Sequence, residues 1–529
     1  MKSIMAFVAT ALVTTAVSPR MGWADSFDLR DVHGVGYVTP VKNQISGTCW
    51  AHGTMAAIEG NLLMTGAWKA AGFAGQPNLA EYHMDWWNGF NRHNNDDTNP
   101  STGGGLEVHM GGDYRVVQAY VSRGEGAVYS ELANDSTESD KNWFDSPPAR
   151  ADPDYAIFYV RDIEWYTIGP DLAGINIIKD VIRTHGVLAT CMYWGNGFYK
   201  SSLTTHYQPL DDSQEPNHSI AIVGWDDEKQ TQARLPGAWL CRNSWGSDWA
   251  DEGYFWISYY DKHCCRHPEM GAVSFKNVEP LAYDNVYYHD YHGWRDTKTD
   301  CNEAFNAFIA DANEMVSAVS FITAVDHVTY TVKVFGCFEN GQLLDELASK
   351  SGYIERAGFH TVDLCSPAKV SAGDDFYVYL DLSLGGQAYD RTSEITVLLA
   401  DPIPPEPELS AEAGAGAEFW AACKGALAGA GTVVVSSAQP GQSYYYDGIR
   451  WLDLHDLDDT ANFCIKALAV HEYIMGDFND NGRVDTADLV TLADAWLSRP
   501  GQEQWDKRCD LYADDVIDLR DFVQLAQNW

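Results

Sequence analysis

The pattern of apolar and polar positions divides the chain into regions of different character. From Cys49 onward apolar residues recur at the spacing of a helix, and a second helix is predicted over 114–121. Short continuous apolar runs further along indicate buried strands at 220–224, 238–242 and 253–259. Residues 25–284 therefore predict an α+β domain in which helices come first and strands follow.

Between residues 285 and 471 the pattern is that of strands throughout. Short runs rich in Val, Tyr, Phe and Thr alternate with Gly, Asp and Ser turns, as at 318–323, 329–335, 361–364 and 376–380. This alternation predicts an all-β antiparallel sandwich. The stretch 401–418 is rich in Pro, Ala, Gly and Glu, and both an interdomain linker and a long loop of the sandwich remain open for it.

The last region, 472–529, contains two related units, each an acidic loop followed by an apolar helix pattern. Asp510 of the second unit follows Asp477 of the first by 33 residues. The repeat predicts a small α-helical module made of two similar halves. The first loop carries Asp477, Asn479, Asn481, Gly482, Asp485 and Asp488, and the second carries Asp510, Asp514, Asp518 and Asp521.

Composition and charge exclude two classes of partner. The 35 basic and 75 acidic side chains give a formal net charge of −40, which opposes binding to nucleic acid or to anionic membranes. A content of 45% hydrophobic and 13% aromatic residues is typical of a folded, core-forming protein. We therefore expect no nucleic-acid partner and no membrane insertion.

The first 24 residues have the pattern of a signal peptide. Lys2 precedes an apolar run over 4–17, which is shorter than the roughly 20 residues that a membrane span needs. Gly22 and Ala24 are small residues at cleavage spacing before Asp25. A membrane anchor is the alternative. We expect a protein that is secreted, or held at a cell surface or scaffold.

The eleven cysteines leave at least one outside any intramolecular disulfide. Export permits disulfides, although the connectivity does not follow from the sequence. Cys264 and Cys265 are adjacent and cannot easily pair with each other. Cys191 and Cys241 lie in apolar, strand-like runs, and we predict that they are buried structural thiols.

The most informative chemistry surrounds Cys49, in the stretch Gly47-Thr-Cys-Trp-Ala51. A cysteine at the start of a helix lies at the positive end of the helix dipole, which favours the thiolate. Gln44, five residues upstream, can place an amide N–H beside the same point. Together with backbone N–H groups of the first helical turn, this predicts an oxyanion site.

Two later stretches carry groups that match a reactive cysteine. His218 precedes the predicted strand at 220–224, and Asn243 opens the stretch Asn-Ser-Trp245-Gly. An Asn that accepts the ring N–H of a His fixes its tautomer and leaves the other ring nitrogen for a thiol. The neighbouring Trp245 would exclude water from that hydrogen bond.

In chain order, these stretches resemble the papain-like cysteine peptidases over residues 26–260. The resemblance implies a helical lobe and a β lobe, hydrolysis of a peptide or protein substrate, and no cofactor for catalysis. It implies Cys49 as nucleophile, His218 as base and acid, and Asn243 as orienter, with Gln44 and the Cys49 N–H as oxyanion hole. Gly111 and Gly112 resemble the glycine pair along which a substrate backbone pairs, an ordinary turn being the alternative. We predict that Trp245 also contacts the substrate.

Several positions depart from the family's pattern. The 169 residues from Cys49 to His218 exceed the usual spacing of about 130–150, which indicates insertions. Ser46 and His109 stand where a disulfide pair is usual, so one bridge is lost. His52 replaces an aromatic residue, and we predict a structural role for it. No inhibitory propeptide fits between the signal peptide and residue 25, so we expect another form of control or none.

The second and third regions also resemble known domains. The stretches 283–287, 358–364 and 443–454 resemble a lectin-like β-sandwich of bacterial family members, with carbohydrate as a possible partner. The aromatic residues 444–446 either stack on a sugar or pack between strands. Residues 472–529 resemble a dockerin, which implies structural Ca²⁺ and a cohesin-type partner on a scaffold protein.

The dockerin resemblance implies a ligand set for each acidic loop, because calcium takes six or more oxygen ligands. In the second loop Tyr512 and Asp515 replace a ligand and the turn glycine, so we expect weaker binding there. The implied first-loop ligands are Asp477, Asn479, Asn481, the Arg483 carbonyl, Asp485 and Asp488, and those of the second are Asp510, Asp514, Asp518 and Asp521.

Three functions remain open at this point. The first is an active, secreted cysteine peptidase anchored through the C-terminal module. The second is a non-catalytic extracellular adhesin or binding protein on a peptidase scaffold. The third is acyl transfer to an amine by the same three side chains, which would give products with amine acceptors and little hydrolysis. The presence of Gln44, Cys49, His218 and Asn243 together favours the first.

Overall fold

The computed structural model describes residues 25–97, 104–131, 143–195, 197–395, 397–398, 432–472, 474–479, 483–502 and 504–529. The predicted signal peptide over 1–24 and the Pro-rich stretch 401–418 lie outside these residues. Asn481 and Gly482 of the first acidic loop also lie outside them. The predictions made for these segments stay predictions.

A long buried helix forms the centre of the first domain. α1 spans Cys49–Thr65, and all of its residues from Cys49 to Leu62 are buried. The helix predicted over 114–121 is confirmed, and the Asp113 side chain caps it by accepting the N–H groups of Arg115 and Val116. The other helices of this domain are α2 (Ala67–Ala70), α3 (Glu81–Trp87), α4 (Tyr114–Ser122) and α5 (Ile175–His185).

A sheet packs against α1 and carries the three strands predicted from the apolar runs, β7, β8 and β9. Its strand order is β3-β10-β4-β7-β8-β9-β6-β5, with β1 paired to β7 and β2 to β3. The strands are β1 (Ser26–Asp28), β2 (Val128–Tyr129), β3 (Ala156–Tyr166), β4 (Leu188–Met192), β5 (Tyr199–Lys200), β6 (Thr205–His206), β7 (His218–Asp226), β8 (Ala238–Arg242), β9 (Tyr254–Ser258) and β10 (Ala272–Pro280).

The second domain consists of strands, as predicted. One sheet has the order β16-β15-β18-β13-β22-β23, and the strands β11-β25-β14-β17 face it across an apolar core. The strands are β11 (Asn285–Tyr287), β12 (Asp296–Lys298), β13 (Glu303–Ile309), β14 (Glu314–Thr323), β15 (Val328–Glu339), β16 (Gln342–Ile354), β17 (Gly358–Val370), β18 (Asp375–Leu382), β19 (Gln387–Asp390), β20 (Ser393–Ile395), β21 (Thr432–Val434), β22 (Ser443–Tyr446), β23 (Trp451–Asp453), β24 (Asn462–Phe463) and β25 (Ile465–His471).

One continuous sheet joins the two domains, which the sequence pattern did not predict. β17 pairs antiparallel with β3, with Phe359 opposite Ile163 and His360 opposite Asp162. The Nδ1 atom of His360 also lies 3.0 Å from a carboxylate oxygen of Asp162. The sandwich is therefore an extension of the first domain's sheet and not a separate body on a tether.

The C-terminal region forms two helices around a small apolar core. α6 spans Thr486–Asp494 and α7 spans Leu519–Ala526, and both begin with the same capping arrangement of two aspartates. Leu492 and Leu525 are fully buried between them. The two helices follow the two acidic loops, as the repeat in the sequence predicts.

Candidate active site

The first turn of α1 places Cys49 against the start of β7. A Cβ atom on Gly53 would lie only 2.3 Å from the Ser219 hydroxyl oxygen, so helix and strand touch at a point where only glycine fits. Gly53 lies one helical turn after Cys49, and Ser219 directly follows His218. The packing of α1 on β7 therefore brings Cys49 and His218 to the same end of the helix.

His218 is held in one tautomer by Asn243. Its Nε2 atom lies 2.8 Å from Oδ1 of Asn243, and that oxygen also accepts the N–H of Ser244 at 2.8 Å. Because the amide oxygen only accepts, the ring proton of the neutral histidine lies on Nε2. Nδ1 is buried without a hydrogen-bond partner among the described residues. The arrangement leaves Nδ1 as the ring atom for proton exchange.

Aromatic rings enclose His218. The indole of Trp245 stacks on the imidazole with centroids 4.6 Å apart and 18° between the planes. Trp194 and Trp249 each pack edge-on against Trp245. Asn217 fixes Trp194 by accepting its backbone N–H and donating to its carbonyl oxygen. Trp194 escaped the sequence reasoning, although the unusual density of Trp residues near the His and Asn motifs is a signal for it.

Burial lowers the pKa of His218 to about 4, and the hydrogen bond that its Nε2–H donates to Asn243 offsets part of that effect. The imidazole is therefore neutral at neutral pH when its surroundings carry no added charge. A neutral imidazole can accept a proton at Nδ1, which a general base requires.

Gln44 is tied to the Asn243 loop by two hydrogen bonds. Its backbone N–H donates to the Ser244 carbonyl at 2.7 Å, and its Oε1 accepts from the Ser244 hydroxyl at 2.6 Å. With Oε1 engaged in this way, Nε2 points the other way and donates to the Ser46 carbonyl at 2.8 Å. The amide donor of Gln44 thus lies on the side of the Gly47–Cys49 segment.

A buried ion-pair cluster fixes α1 relative to the loops that carry Gln44 and Asn243. Glu59 of α1 has no exposed surface and lies 2.9 Å from the ammonium group of Lys42. It also accepts hydrogen bonds from the Thr39 hydroxyl and the Leu79 N–H. Arg242, which precedes Asn243, donates to the same Thr39 hydroxyl. The sequence signal for this cluster is a single Glu among apolar helix positions, and sequence reasoning missed it.

The departures from the family's pattern have structural counterparts. Ser46 and His109 occupy the positions of the lost disulfide. They are still in contact, since the Ser46 hydroxyl donates a hydrogen bond to the His109 carbonyl at 3.2 Å. His52 is buried, bonds through Nδ1 to the Thr48 carbonyl and packs edge-on against Tyr82. Burial lowers its pKa. The prediction that the His52 side chain points into the body of the domain is confirmed, and its contacts agree with a structural role.

The glycine pair lies beside the start of α1. Gly47 pairs with Met110 in a parallel bridge, and its N–H donates to the His109 carbonyl at 3.0 Å. A Cβ atom on Gly112 would lie 2.7 Å from the Trp50 ring, so a side chain there would displace that ring. Gly111 has a φ of 93°, which favours glycine. Both glycines are buried.

The buried cysteines and the aromatic strand β22 agree with the structural interpretations made for them. Cys191 and Cys241 have no exposed surface. Tyr444 stacks on Phe305 at 4.7 Å, and Tyr446 packs against Trp451. These aromatic residues pack between strands of the sandwich.

The first acidic loop is organised around Asp488, which is fully buried. Its Oδ1 accepts the Phe478 N–H at 2.7 Å, and its Oδ2 accepts the Asp485 N–H at 2.9 Å. Asp477 is also buried. Asp488, the last predicted ligand, therefore joins the start of the loop to its end through these hydrogen bonds. Asn479 and Arg483 lie between them in the sequence.

The second acidic loop has the same hydrogen-bonding pattern but is also contacted by a positively charged side chain, that of Arg520. Asp521 accepts the N–H groups of Tyr512 and Asp518, as Asp488 does in the first loop. The guanidinium of Arg520 forms ion pairs with Asp514 and Asp518. The Asp510 carboxylate accepts two backbone N–H groups of its own loop. Arg520 thus neutralises two of the four predicted ligands.

A cluster that sequence reasoning did not find lies between the first domain and the sandwich. Among the residues that the structure describes, Asp97, His292 and Asp390 are the three acidic or metal-ligating residues whose side-chain atoms lie within 4.8 Å of one another. The His292 ring is satisfied by the Ser436 hydroxyl and the Gly89 carbonyl. Burial raises the pKa of Asp97 to about 7.

Comparison with protein families gives two matches along the chain. The model "Papain family cysteine protease" matches residues 23–76 and 166–274, and the model "Lectin like domain" matches residues 286–399. The first match covers the segments that carry Gln44, Cys49, His218 and Asn243. The gap between its two parts, residues 77–165, lies within the long spacing from Cys49 to His218.

Among curated proteins, bovine (Bos taurus) pro-cathepsin H is 28% identical over 234 residues, which are 43% of this chain and 58% of that protein. Mouse (Mus musculus) cathepsin K is 26% identical over 254 residues, which are 47% of this chain and 64% of that protein. The chain thus spans less than two thirds of the length of these relatives.

Among solved structures, the cysteine protease Cwp84 after propeptide cleavage, a clostridial protein, superposes with a TM-score of 0.60 at 21% identity. That match covers 84% of this chain and 99% of the other. The cysteine protease and lectin-like domains of Cwp84, a surface layer associated protein of Clostridium difficile, match with the same score and cover 88% of that chain. At this identity the likeness establishes a shared fold.

The fold, the site and these matches define the class of the molecule. The chain contains a domain that matches the papain family of cysteine proteases, followed by an all-β region that matches a lectin-like domain and continues the same sheet. No helix in the described part of the chain is both long and apolar enough to cross a membrane.

Proposed function

We propose that this chain is a cysteine peptidase that hydrolyses peptide bonds, with Cys49 as nucleophile and His218 as base and acid. The observation that carries the proposal is the 2.8 Å contact between His218 Nε2 and Asn243 Oδ1, while Nδ1 has no hydrogen-bond partner among the described residues. An orienting amide on one nitrogen and a helix-initiating cysteine near the other are the parts that thiol catalysis needs.

The reaction follows from the positions of these groups. His218 Nδ1 accepts the Cys49 proton, and the thiolate attacks the carbonyl carbon of the scissile bond. The Gln44 side-chain amide and the Cys49 N–H stabilise the oxyanion of the tetrahedral intermediate. The imidazolium then gives its proton to the leaving amine, and water hydrolyses the thioester in a second, analogous round. Asn243 keeps the imidazole ring of His218 in the same orientation during both rounds.

We further propose that an extended substrate pairs its backbone with Gly111 and Gly112 and also contacts Trp245. The pair lies beside the start of α1, next to Cys49, which supports this role. A glycine at 112 lets the backbone approach the Trp50 ring without a side chain between them.

Covalent labelling tests the function. The purified full chain is treated with an epoxysuccinyl peptide inhibitor and analysed by mass spectrometry, with Cys49→Ala as the control. One adduct on Cys49 in the folded protein, absent after denaturation and in the control, is the expected result. Folded protein that gains no adduct even at saturating inhibitor would refute the proposal and favour a non-catalytic binding protein. Turnover of a peptide substrate only when amine acceptors are present would favour acyl transfer.

For the C-terminal module we propose one structural Ca²⁺, bound by the first acidic loop. The buried Asp477 and Asp488 support this, and the ion pairs of Arg520 favour weaker binding in the second loop. Calcium titration of the full chain by calorimetry should give one tight site, which Asp488→Ala removes. Two equal sites or none would contradict the proposal.

The partners and location rest on the resemblances. We propose that the protein is exported, which the pattern of residues 1–24 and the shared fold with a surface layer associated protein support. A cohesin-type scaffold and a carbohydrate at the sandwich are the partners that the dockerin and lectin-like resemblances suggest. Pull-down with a cohesin domain in calcium or in EDTA tests the first, and a glycan array tests the second.

A further inference from the structure

A segment of the sandwich domain lies on the edge proposed for the substrate backbone. The N–H of Leu398 donates to the carbonyl oxygen of Gly112 at 3.0 Å, and the two residues form an antiparallel bridge. The segment therefore has the extended conformation and hydrogen bonding of a peptide paired with Gly112. Peptides that add a strand to an exposed edge are held by such main-chain bonds.

Apolar burial fixes the same segment. Leu398 has no exposed surface and belongs to the apolar core that also contains Trp50. Val397 is partly buried against that core. Three residues earlier, Ile395 ends β20, which is paired with β21 of the sandwich. Ile395 is buried in the same apolar core as Leu398, so the segment is held on both sides of Val397.

The catalytic candidates are inaccessible in this arrangement. Cys49 and His218 both have 0% of their surface exposed, and Gln44 is 3% exposed. A peptide bond must contact the Cys49 sulfur to react, so a substrate cannot bind productively without displacing part of what covers the site. A strand already paired with Gly112 is the element whose displacement would restore the edge that the substrate needs.

We propose that the segment 397–398 is an internal occupant of the substrate edge, and that peptide substrates compete with it for Gly112. This inference rests on the proposed peptidase function. Because the segment is part of the same chain, its effective concentration at the edge is high and independent of protein concentration.

Two substitutions remove the contact in different ways. Leu398→Pro deletes the N–H that donates to Gly112 and keeps an extended backbone. Leu398→Asp disfavours burial of the side chain. Leu384→Asp is the matched control, because Leu384 lies in the same domain and is 52% exposed. None of these residues is part of the proposed catalytic machinery.

The readout is the second-order rate of Cys49 labelling by the epoxysuccinyl peptide, together with KM and kcat for a fluorogenic peptide. A buried hydrogen bond and a buried leucine each change an equilibrium by about tenfold. We therefore expect both Leu398 variants to label about tenfold faster and to show a KM lowered by about the same factor. The kcat value and the behaviour of Leu384→Asp should not change.

Two other outcomes separate the failure of this inference from that of the proposed function. Labelling of Cys49 at equal rates in all variants would overturn the inference and leave the peptidase standing. Absence of labelling in every variant would overturn the peptidase and the inference with it. Hydrogen exchange at the Leu398 amide reads the contact directly, since inhibitor binding should release it from protection. An amide that stays protected with inhibitor bound would also overturn the inference.

Discussion

Replacing Asn243 by Ala tests whether the orienting hydrogen bond contributes to catalysis or only to packing. The variant removes the 2.8 Å contact to His218 Nε2 and leaves the ring stacked on Trp245. The ring is therefore retained but loses the group that selects its tautomer. We expect a reduced rate and not an inactive protein, in contrast to Cys49→Ala.

The size of the effect follows from the charge on His218. A hydrogen bond to a neutral group contributes about 0.5–1.5 kcal/mol, and one to a charged group about 1.5–3 kcal/mol. His218 becomes an imidazolium once it has taken the Cys49 proton, so the bond is stronger in the transition state than in the resting enzyme. The centres of these two ranges differ by about 1.3 kcal/mol, which corresponds to a fall of about tenfold in kcat/KM.

The assay is hydrolysis of a fluorogenic peptide by wild type, by Asn243→Ala and by the control Asn302→Ala, whose residue is exposed on the sandwich. Circular dichroism checks that each variant is folded. Since the hydrogen bond raises the pKa of His218, its loss should also make the imidazolium less stable. A folded Asn243→Ala protein with unchanged kcat/KM would refute the assignment of Asn243 as orienter.

Three further predictions concern other parts of the molecule. Glu59→Gln breaks the buried pair with Lys42 and should lower the unfolding free energy by about 3 kcal/mol, measured by urea denaturation, and an unchanged transition would contradict this. The Asp97 pKa of about 7 lies above that of an unfolded Asp, so the stability that protonated Asp97 contributes is lost as pH rises from about 4 to 7. The Asp97→Asn variant should therefore have a higher melting temperature than wild type at pH 8 and the same melting temperature at pH 4. Equal melting temperatures at both pH values would argue against a raised Asp97 pKa. Arg520→Ala frees Asp514 and Asp518, so calorimetry should show tighter calcium binding in the second loop, and an unchanged titration would count against the proposed role of Arg520.

The parts of the site that the sequence predicts are those set by local geometry. Cys49 begins a helix and His218 begins a buried strand, as the apolar patterns around them indicate. Asn243 follows a strand that was predicted with the bounds 238–242, which the structure has. Short-range periodicity decides these features, because each depends on residues within one helix or strand.

The parts that were missed depend on contacts between distant segments. The ion pair of Glu59 with Lys42, the packing of Trp194 on Trp245 and the bridge from Leu398 to Gly112 each join residues that no local pattern relates. A buried Glu in an apolar helix signals a partner without naming it. Periodicity gives the face of a strand and not the identity of its neighbour, so the pairing of β3 with β17 was likewise beyond reach.

That pairing decides how the sandwich acts on the peptidase domain. If the chain ended after β10, the edge of β3 at residues 162–164 would lose its partner strand, and buried residues such as Phe359 and Ile322 would no longer cover the first domain's core. The Tyr159 hydroxyl would lose Thr361, and Arg161 would lose Asp363. The sandwich is therefore part of the scaffold that holds α1 and the sheet together. Because the sandwich is fixed on the first domain, pairing Leu398 with Gly112 costs little conformational freedom. Leu398 lies only three residues after the end of β20.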